Sequence, residues 1–270
     1  MTIRSFRVLF YVIYYLTSTI PERRRIHRLY EKDPREASRL ANASVQKAFA
    51  HICRSAGVKI EVDGLSNIPQ EACLFVGNHC SYFDVVATGS VIPGGAGFVA
   101  KDSLKKIPGL ADWMSLIHCL FLNRTDIKEG LKTILTGVDY IKDGYPMFIY
   151  PEGTRHPEGQ VGEFKGGSLK MAQRAKAPIV PVAISGSRAV FEDNGGLKVK
   201  PSTVRISFGK PFRFSDLSKE ERQFAAEYTR QLILDLLEKQ KITAAQTSGS
   251  LPGKETITAG KSEHPDGLDR

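Results

Sequence analysis

Residues 72–84 read Ala72-Cys73-Leu74-Phe75-Val76-Gly77-Asn78-His79-Cys80-Ser81-Tyr82-Phe83-Asp84. The apolar run 72–76 reads as a buried strand, and Ser81 stands where it can cap a helix behind it. His79 then falls in the strand-to-helix turn and Asp84 in the first helical turn. Across such a turn an imidazole and a carboxylate can meet. A carboxylate on one ring nitrogen sets the tautomer and leaves the other nitrogen free to take a proton. Read this way, the pair is a general base awaiting a hydroxyl or a thiol. The plainer alternative is a surface histidine beside a helix-capping aspartate.

Strands and helices alternate outward from this segment. Toward the N-terminus, residues 35–56 have helical spacing with Gly57 as C-cap, and Val58 to Val62 alternates as a strand ended by Asp63-Gly64. Toward the C-terminus, short strands are expected at 98–100, 119–122, 147–150, 179–184 and 204–208. Helices are expected at 81–91, 103–116, 127–142, 168–175 and from Ser218 to about Gln240, the last opened by a Ser218/Glu221 capping box. Leu131, Ile134, Leu135, Val138 and Ile141 form the apolar face expected for 127–142. The alternation implies an α/β fold: a mixed, largely parallel sheet flanked by helices. Residues 1–57 are expected to form a basic helical, membrane-binding segment, 58–241 the α/β domain, and 242–270 a disordered tail, too poor in large apolar residues to order itself.

A chain of 270 residues with 41% hydrophobic content can bury one sizeable core. Its net charge is +9, and residues 1–60 hold 12 Lys and Arg against 4 Asp and Glu. A basic N-terminal region fits an anionic surface, phospholipid or nucleic acid, or simply a solvated helical face. No aromatic-interleaved basic motif or nucleic-acid fold signature accompanies it, so no nucleic-acid partner is expected. Val8 to Ile20 is uncharged and apolar, with Arg4 and Arg7 before it and Arg23-Arg24-Arg25 after it. Its 13 residues fall short of the about 20 needed to cross a bilayer. No cleavage site follows, so a helix lying in the interface is expected; a spanning helix and a core helix are the alternatives. The four cysteines, 53, 73, 80 and 119, form no close pair and no zinc spacing. They read as reduced thiols in a cytoplasmic compartment.

Further chemistry-bearing residues stand at strand ends, where open α/β sheets gather ligands. Arg124 follows the strand at 119–122. Tyr150-Pro151-Glu152-Gly153-Thr154-Arg155 follows the next, a tight turn presenting a carboxylate and a guanidinium together. Its alternatives are a phosphate-binding turn and a Glu–Arg pair that merely closes it. Lys101 and Lys165 are similar possible anion contacts. Val180-Pro181-Val182 reads as a buried strand whose proline marks its start or a sheet edge, and which walls an apolar site.

These blocks together resemble the glycerolipid acyltransferase family. Its N-H-x-x-x-x-D block is matched by Asn78, His79 and Asp84, its F-x-x-R block by Phe121 and Arg124, its F/Y-P-E-G-T-R block by Tyr150 to Arg155, and its V-P-V/I block by Val180 to Val182. The likeness covers about residues 55–210. One position departs: the second block usually begins with Gly, and here His118 stands there. A side chain at that point is expected to narrow the acceptor site.

The resemblance implies transfer of a fatty acyl group from acyl-CoA or acyl carrier protein to the sn-2 hydroxyl of 1-acyl-glycerol-3-phosphate (lysophosphatidic acid), giving phosphatidic acid. His79 would be the general base and Asp84 its orienting carboxylate. Arg124 and Arg155, with Glu152, Gly153, Thr154 and Lys101, would bind the acceptor phosphate. No cofactor, metal or covalent acyl-enzyme is implied. The enzyme would work on a membrane phospholipid surface, peripheral or monotopic on the cytoplasmic face of the cell membrane. Rival readings are transfer to another lysolipid, and hydrolysis of a thioester or phospholipid.

Overall fold

The computed structural model describes residues 1–123 and 126–249. Arg124 and the stretch 250–270 lie outside the described residues. The chain begins with three helices, α1 (Ile3–Ser18), α2 (Ile20–Tyr30) and α3 (Pro34–Ala56). There follow β1 (Val58–Asp63), β2 (Leu74–Gly77), α4 (Tyr82–Val91), β3 (Gly97–Lys101), α5 (Leu110–Leu116), β4 (Leu120–Leu122), α6 (Ile127–Lys142) and β5 (Met147–Ile149). Then come α7 (Lys170–Ala175), β6 (Ile179–Ser185), β7 (Ser202–Phe208), α8 (Lys219–Gln223) and α9 (Ala225–Gly249).

The strands form one sheet in the order β1-β7-β6-β2-β5-β3-β4. Strands β6, β2, β5, β3 and β4 run parallel to their neighbours in that series; β7 is antiparallel to β6, and β1 is parallel to β7. Parallel strands covered on both faces need apolar side chains on both. In β2, Leu74 and Val76 point into one cluster with Met147, Ile149, Ile179, Met171 and Ile233, beneath α6, α7 and α9. Phe75 points the other way, into a cluster with Phe148, Phe208, Val180 and Val182 beneath α3 and α4. Strands β2 and β5 both end toward one edge of the sheet, so the turns at 78–84 and 150–155 emerge side by side.

Several expectations need correction. The run Arg23-Arg24-Arg25, expected only as a basic flank, lies within α2. Arg24 and Arg25 are exposed, whereas Arg23 is buried, donating to the Leu16 carbonyl at 2.7 Å and facing Asp112 at 3.6 Å. Helix α9 continues to Gly249, past the expected boundary at 241, because Ile242 to Ser248 contains neither Gly nor Pro and holds two alanines. On α6 Val138 and Ile141 are buried and Ile134 half-buried; Leu131 and Leu135 are exposed. Pro181 is neither at the start of β6 nor on an edge strand. Pairing with β7 begins at Val182↔Phe208 and resumes only at the Ile179↔Phe212 bridge. The proline therefore occupies a gap in the ladder, and Val180 and Val182 pack into the core.

His118 lies two residues before β4, at the amino ends of the strands, far along the sheet from the turns at 78–84 and 150–155. It does not narrow an acceptor site there. Its φ of 60° is left-handed, which explains why the family favours glycine at this point. The ring is buried against Tyr140 and Tyr145, with Nε2 3.1 Å from the Ser38 hydroxyl. Burial pulls its pKa from 6.5 down to about 4, partly opposed by Asp143. A depressed folded pKa means that the unfolded chain takes up the proton first, so stability is lost as pH falls from 6.5 toward 4. The expected loss is roughly 3 kcal/mol. Urea melts at neutral and acid pH check this: His118→Asn, which tolerates positive φ, should flatten that slope.

Candidate active site

Ser81 caps α4, its hydroxyl accepting from Phe83 N–H at 3.0 Å, and Asp84 closes the capping box from the third helical position. The same carboxylate, without exposed surface, holds the histidine: His79 Nδ1 lies 2.7 Å from Asp84 Oδ2. That oxygen also accepts the N–H groups of Cys80 (2.7 Å) and Ser81 (2.8 Å), and Oδ1 accepts the Ser187 hydroxyl. These donors fix the carboxylate at the helix N-terminus. His79 is 18% exposed in its side chain, and its ring stacks on Tyr150 with centroids 4.3 Å apart. Among the described residues Nε2 has no protein partner, so the nitrogen opposite Asp84 is open to a ligand.

The turn bearing His79 is held from both sides. Asn78 donates to the Ile184 carbonyl (2.9 Å) and accepts from the Ile184 N–H (2.8 Å), extending the β2–β6 ladder with its side chain. His156 N–H donates to the His79 carbonyl at 2.9 Å. Glu152 completes the support. Its side chain has no exposed surface; Oε1 accepts the His79 N–H at 2.6 Å and Oε2 the Gly162 N–H at 2.7 Å. Burial raises its pKa despite those donors. The carboxylate expected on a substrate is thus turned inward, onto the backbone of His79.

The rest of the 150–155 turn faces outward. Gly153 has φ 72°, and a Cβ there would stand 2.8 Å from the Lys165 ammonium. Thr154 and Arg155 are exposed and line a cavity of about 490 Å³ with Tyr82, Arg188 and Phe191. The Arg155 guanidinium lies over the Tyr82 ring at 3.9 Å and pairs with Glu192 at 2.8 Å. Glu192 also accepts from the Ser81 hydroxyl (2.6 Å) and Tyr82 N–H (2.9 Å), tying Arg155 to the start of α4. A second cavity, of about 380 Å³, opens at the carboxyl ends of β3, β4 and β5. Val99, Leu122, Ile134 and Ile149 wall it, with Tyr150 and Lys165 beside them. Lys101 ends β3 with its side chain exposed and lines neither cavity.

Cys80 is buried beside His79, its sulfur 3.4 Å from Ser187 Oγ and 3.7 Å from Glu158 Oε2. Burial, together with the Asp84 and Glu158 carboxylates, pushes the thiol well above its usual range. That is the reverse of what a thiolate nucleophile needs.

The family model described as Acyltransferase matches residues 59–185, which contain all four blocks. The 1-acyl-sn-glycerol-3-phosphate acyltransferase of Saccharomyces cerevisiae is 28% identical over 217 residues, covering 79% of this chain and 71% of the yeast protein. A probable 1-acyl-sn-glycerol-3-phosphate acyltransferase of Mycoplasma genitalium is 33% identical over 196 residues, 68% of this chain and 73% of that one. The chain belongs to the acyltransferase family. Its fold matches the crystal structure of the 1-acyl-sn-glycerophosphate (LPA) acyltransferase PlsC from Thermotoga maritima, with TM-score 0.75 and 24% identity over 88% of this chain and 95% of that one.

In this acyltransferase the structure brings His79, Asp84, Glu152 and the 153–155 turn to one sheet edge; Arg124 lies outside the described residues. Three residues of that neighbourhood escaped sequence reasoning. Tyr150 was read only as part of a turn block, although an aromatic residue at a strand end next to a histidine turn was a usable signal. Ser187 and Glu192 carried none, since a serine and a glutamate in a loop 100 residues away look like solvated surface.

Proposed function

We propose that the chain transfers a fatty acyl group from an acyl-CoA or acyl carrier protein thioester to the sn-2 hydroxyl of 1-acyl-glycerol-3-phosphate, giving phosphatidic acid. The observation that carries this reading is the His79–Asp84 contact at 2.7 Å with Nε2 left open, in a chain whose relatives bear that enzyme name. His79 Nε2 takes the proton of the acceptor hydroxyl as the oxygen attacks the thioester carbonyl. Asp84 stabilises the imidazolium. The carbon–sulfur bond then breaks, and the proton passes to the departing thiolate. Base catalysis of this kind supplies on the order of 10²–10⁴ in rate, and positioning supplies much of the rest. The apolar cavity beside Tyr150 suits a fatty chain. Arg124, Arg155 and Lys165 are the cations for the phosphate, with Gly153 and Thr154 shaping the turn between them. A radiolabelled acyl-transfer assay over several lysolipids, with both donor types, tests the reading. Phosphatidic acid is the expected product; release of free fatty acid without an acylated lipid would replace transfer with hydrolysis.

The membrane is the proposed workplace, at the cytoplasmic face. No helix among the described residues is long and apolar enough to cross a bilayer. Helix α1 instead shows two apolar sides. Tyr11 and Tyr15 pack inward, Tyr11 on His51 at 3.7 Å and Tyr15 on Trp113 at 5.4 Å. Ile3, Phe6, Phe10 and Ile13 form an exposed row, with Phe10 at 72%. Such a row beside exposed arginines suits a phospholipid surface. The double substitution Phe6→Glu and Phe10→Glu should abolish flotation with anionic liposomes while leaving the melting temperature within a few degrees. Undiminished flotation would reject the interfacial role.

A further inference from the structure

The two oxygens of Asp84 have different partners. Oδ2 holds His79 and the N–H groups of Cys80 and Ser81. Oδ1 accepts the hydroxyl of Ser187 at 2.5 Å, from the loop after β6 and 103 residues away in the chain. Ser187 has no exposed surface and begins the short 3₁₀ turn Arg188–Val190. A carboxylate turns freely about its Cβ–Cγ bond, because that torsion has a broad minimum. Donors clustered on one oxygen hold that oxygen but leave the plane of the group free. A donor on the other oxygen sets the plane. Among the described residues the other hydrogen-bond donor to Oδ1 is the Cys80 thiol at 3.8 Å, a weak one.

We propose that Ser187 is a positioning residue for acyl transfer: its hydroxyl clamps Asp84 Oδ1, so that Oδ2 holds the His79 ring with Nε2 aimed at the acceptor hydroxyl. The proposal rests on the general-base reading above. The titratable groups around Asp84 are His79 and Cys80 on the turn, Tyr150 from the end of β5, and Glu158, whose carboxylate also accepts the Gly186 N–H at 2.9 Å. Of these and Ser187, only the serine donates strongly to Oδ1. Removing it leaves the carboxylate less satisfied and more strongly drawn to a protonated imidazole. His79 then stays protonated to higher pH, where it cannot act as base.

The test is an isosteric pair in the full chain, Ser187→Thr and Ser187→Val, which differ only in the hydroxyl. Steady-state transfer to lysophosphatidic acid is measured from acyl-CoA and from acyl carrier protein. Ser187→Thr should retain most of the turnover, whereas Ser187→Val should lose about tenfold or more in kcat with little change in acceptor KM. The acid limb of kcat/KM should move to higher pH in the valine variant alone. Equal kcat in the two variants, or an unmoved acid limb, overturns the proposal. A second readout needs no turnover. The His79 signal in histidine-labelled NMR, assigned by its loss in His79→Ala, should titrate at higher pH in Ser187→Val than in Ser187→Thr. Coincident titrations overturn the clamp even if the chain proves to act on a different acceptor.

Discussion

His79→Ala should abolish acyl transfer and leave the fold standing. The imidazole has a buried carboxylate on its Nδ1 and, among the described residues, no protein partner on Nε2. Without it the acceptor hydroxyl must lose its proton to water, and about 10²–10⁴ of rate goes with it. The structural cost is small. The side chain is already 18% exposed, and Asp84 keeps the donors from Cys80, Ser81 and Ser187. What is lost is one charge-assisted contact and the stacking on Tyr150, together about 1–3 kcal/mol. A denaturation curve and a transfer assay on the same sample separate the two effects. Turnover near wild type in the folded variant would remove the base from His79.

Asp84→Asn is the second large effect, and it acts through geometry. Asparagine fits the space, but it offers one acceptor oxygen and an NH₂ group where the wild-type site needs two acceptors. Either the Cys80 and Ser81 N–H groups or the Ser187 hydroxyl must face a donor, and the hydroxyl is the one able to turn. The side chain also loses the charge that stabilises the imidazolium. By analogy with hydrolytic triads, where the same change costs about 10⁴ in kcat, a loss of about 10³–10⁴ is expected. The acid limb of the pH–rate profile should move to lower pH, because the imidazolium loses its counter-ion. That is opposite in sign to the shift expected for Ser187→Val, so the two variants distinguish removing the charge from loosening it. A kcat within tenfold of wild type would show that Asp84 serves α4 rather than the base.

Much of this site was legible because its centre is local. A strand of apolar residues, a serine able to cap, and an aspartate three positions beyond it place a carboxylate at the start of a helix, next to whatever side chain the turn presents. His79 is that side chain. The first and third blocks likewise follow the ends of β2 and β5, which run parallel toward one edge, while Phe121 lies in β4 and Val180 to Val182 inside β6. Composition read the N-terminal region less well: the three arginines are consecutive in sequence but divide between a buried position and a solvated face, and periodicity alone did not show that α2 packs against α3. The fate of Glu152 was open in sequence. A carboxylate between Pro and Gly suits either a ligand or a turn, and only the approach of the His79 and Gly162 backbones decides for the turn.

Sequence by itself determined the layered α/β plan and the strand–turn–helix that puts His79 and Asp84 within reach of each other, since hydrophobic period and helix capping act over a few residues. The tertiary structure alone decided that Ser187 reaches Asp84, that Glu192 claims Arg155, that Glu152 faces inward and that His118 sits at the opposite end of the strands. Those contacts join residues 37 to 103 positions apart, or depend on which end of a strand a residue occupies once the sheet has assembled. No local pattern encodes which distant loops meet; the packing of the sheet and its helices does.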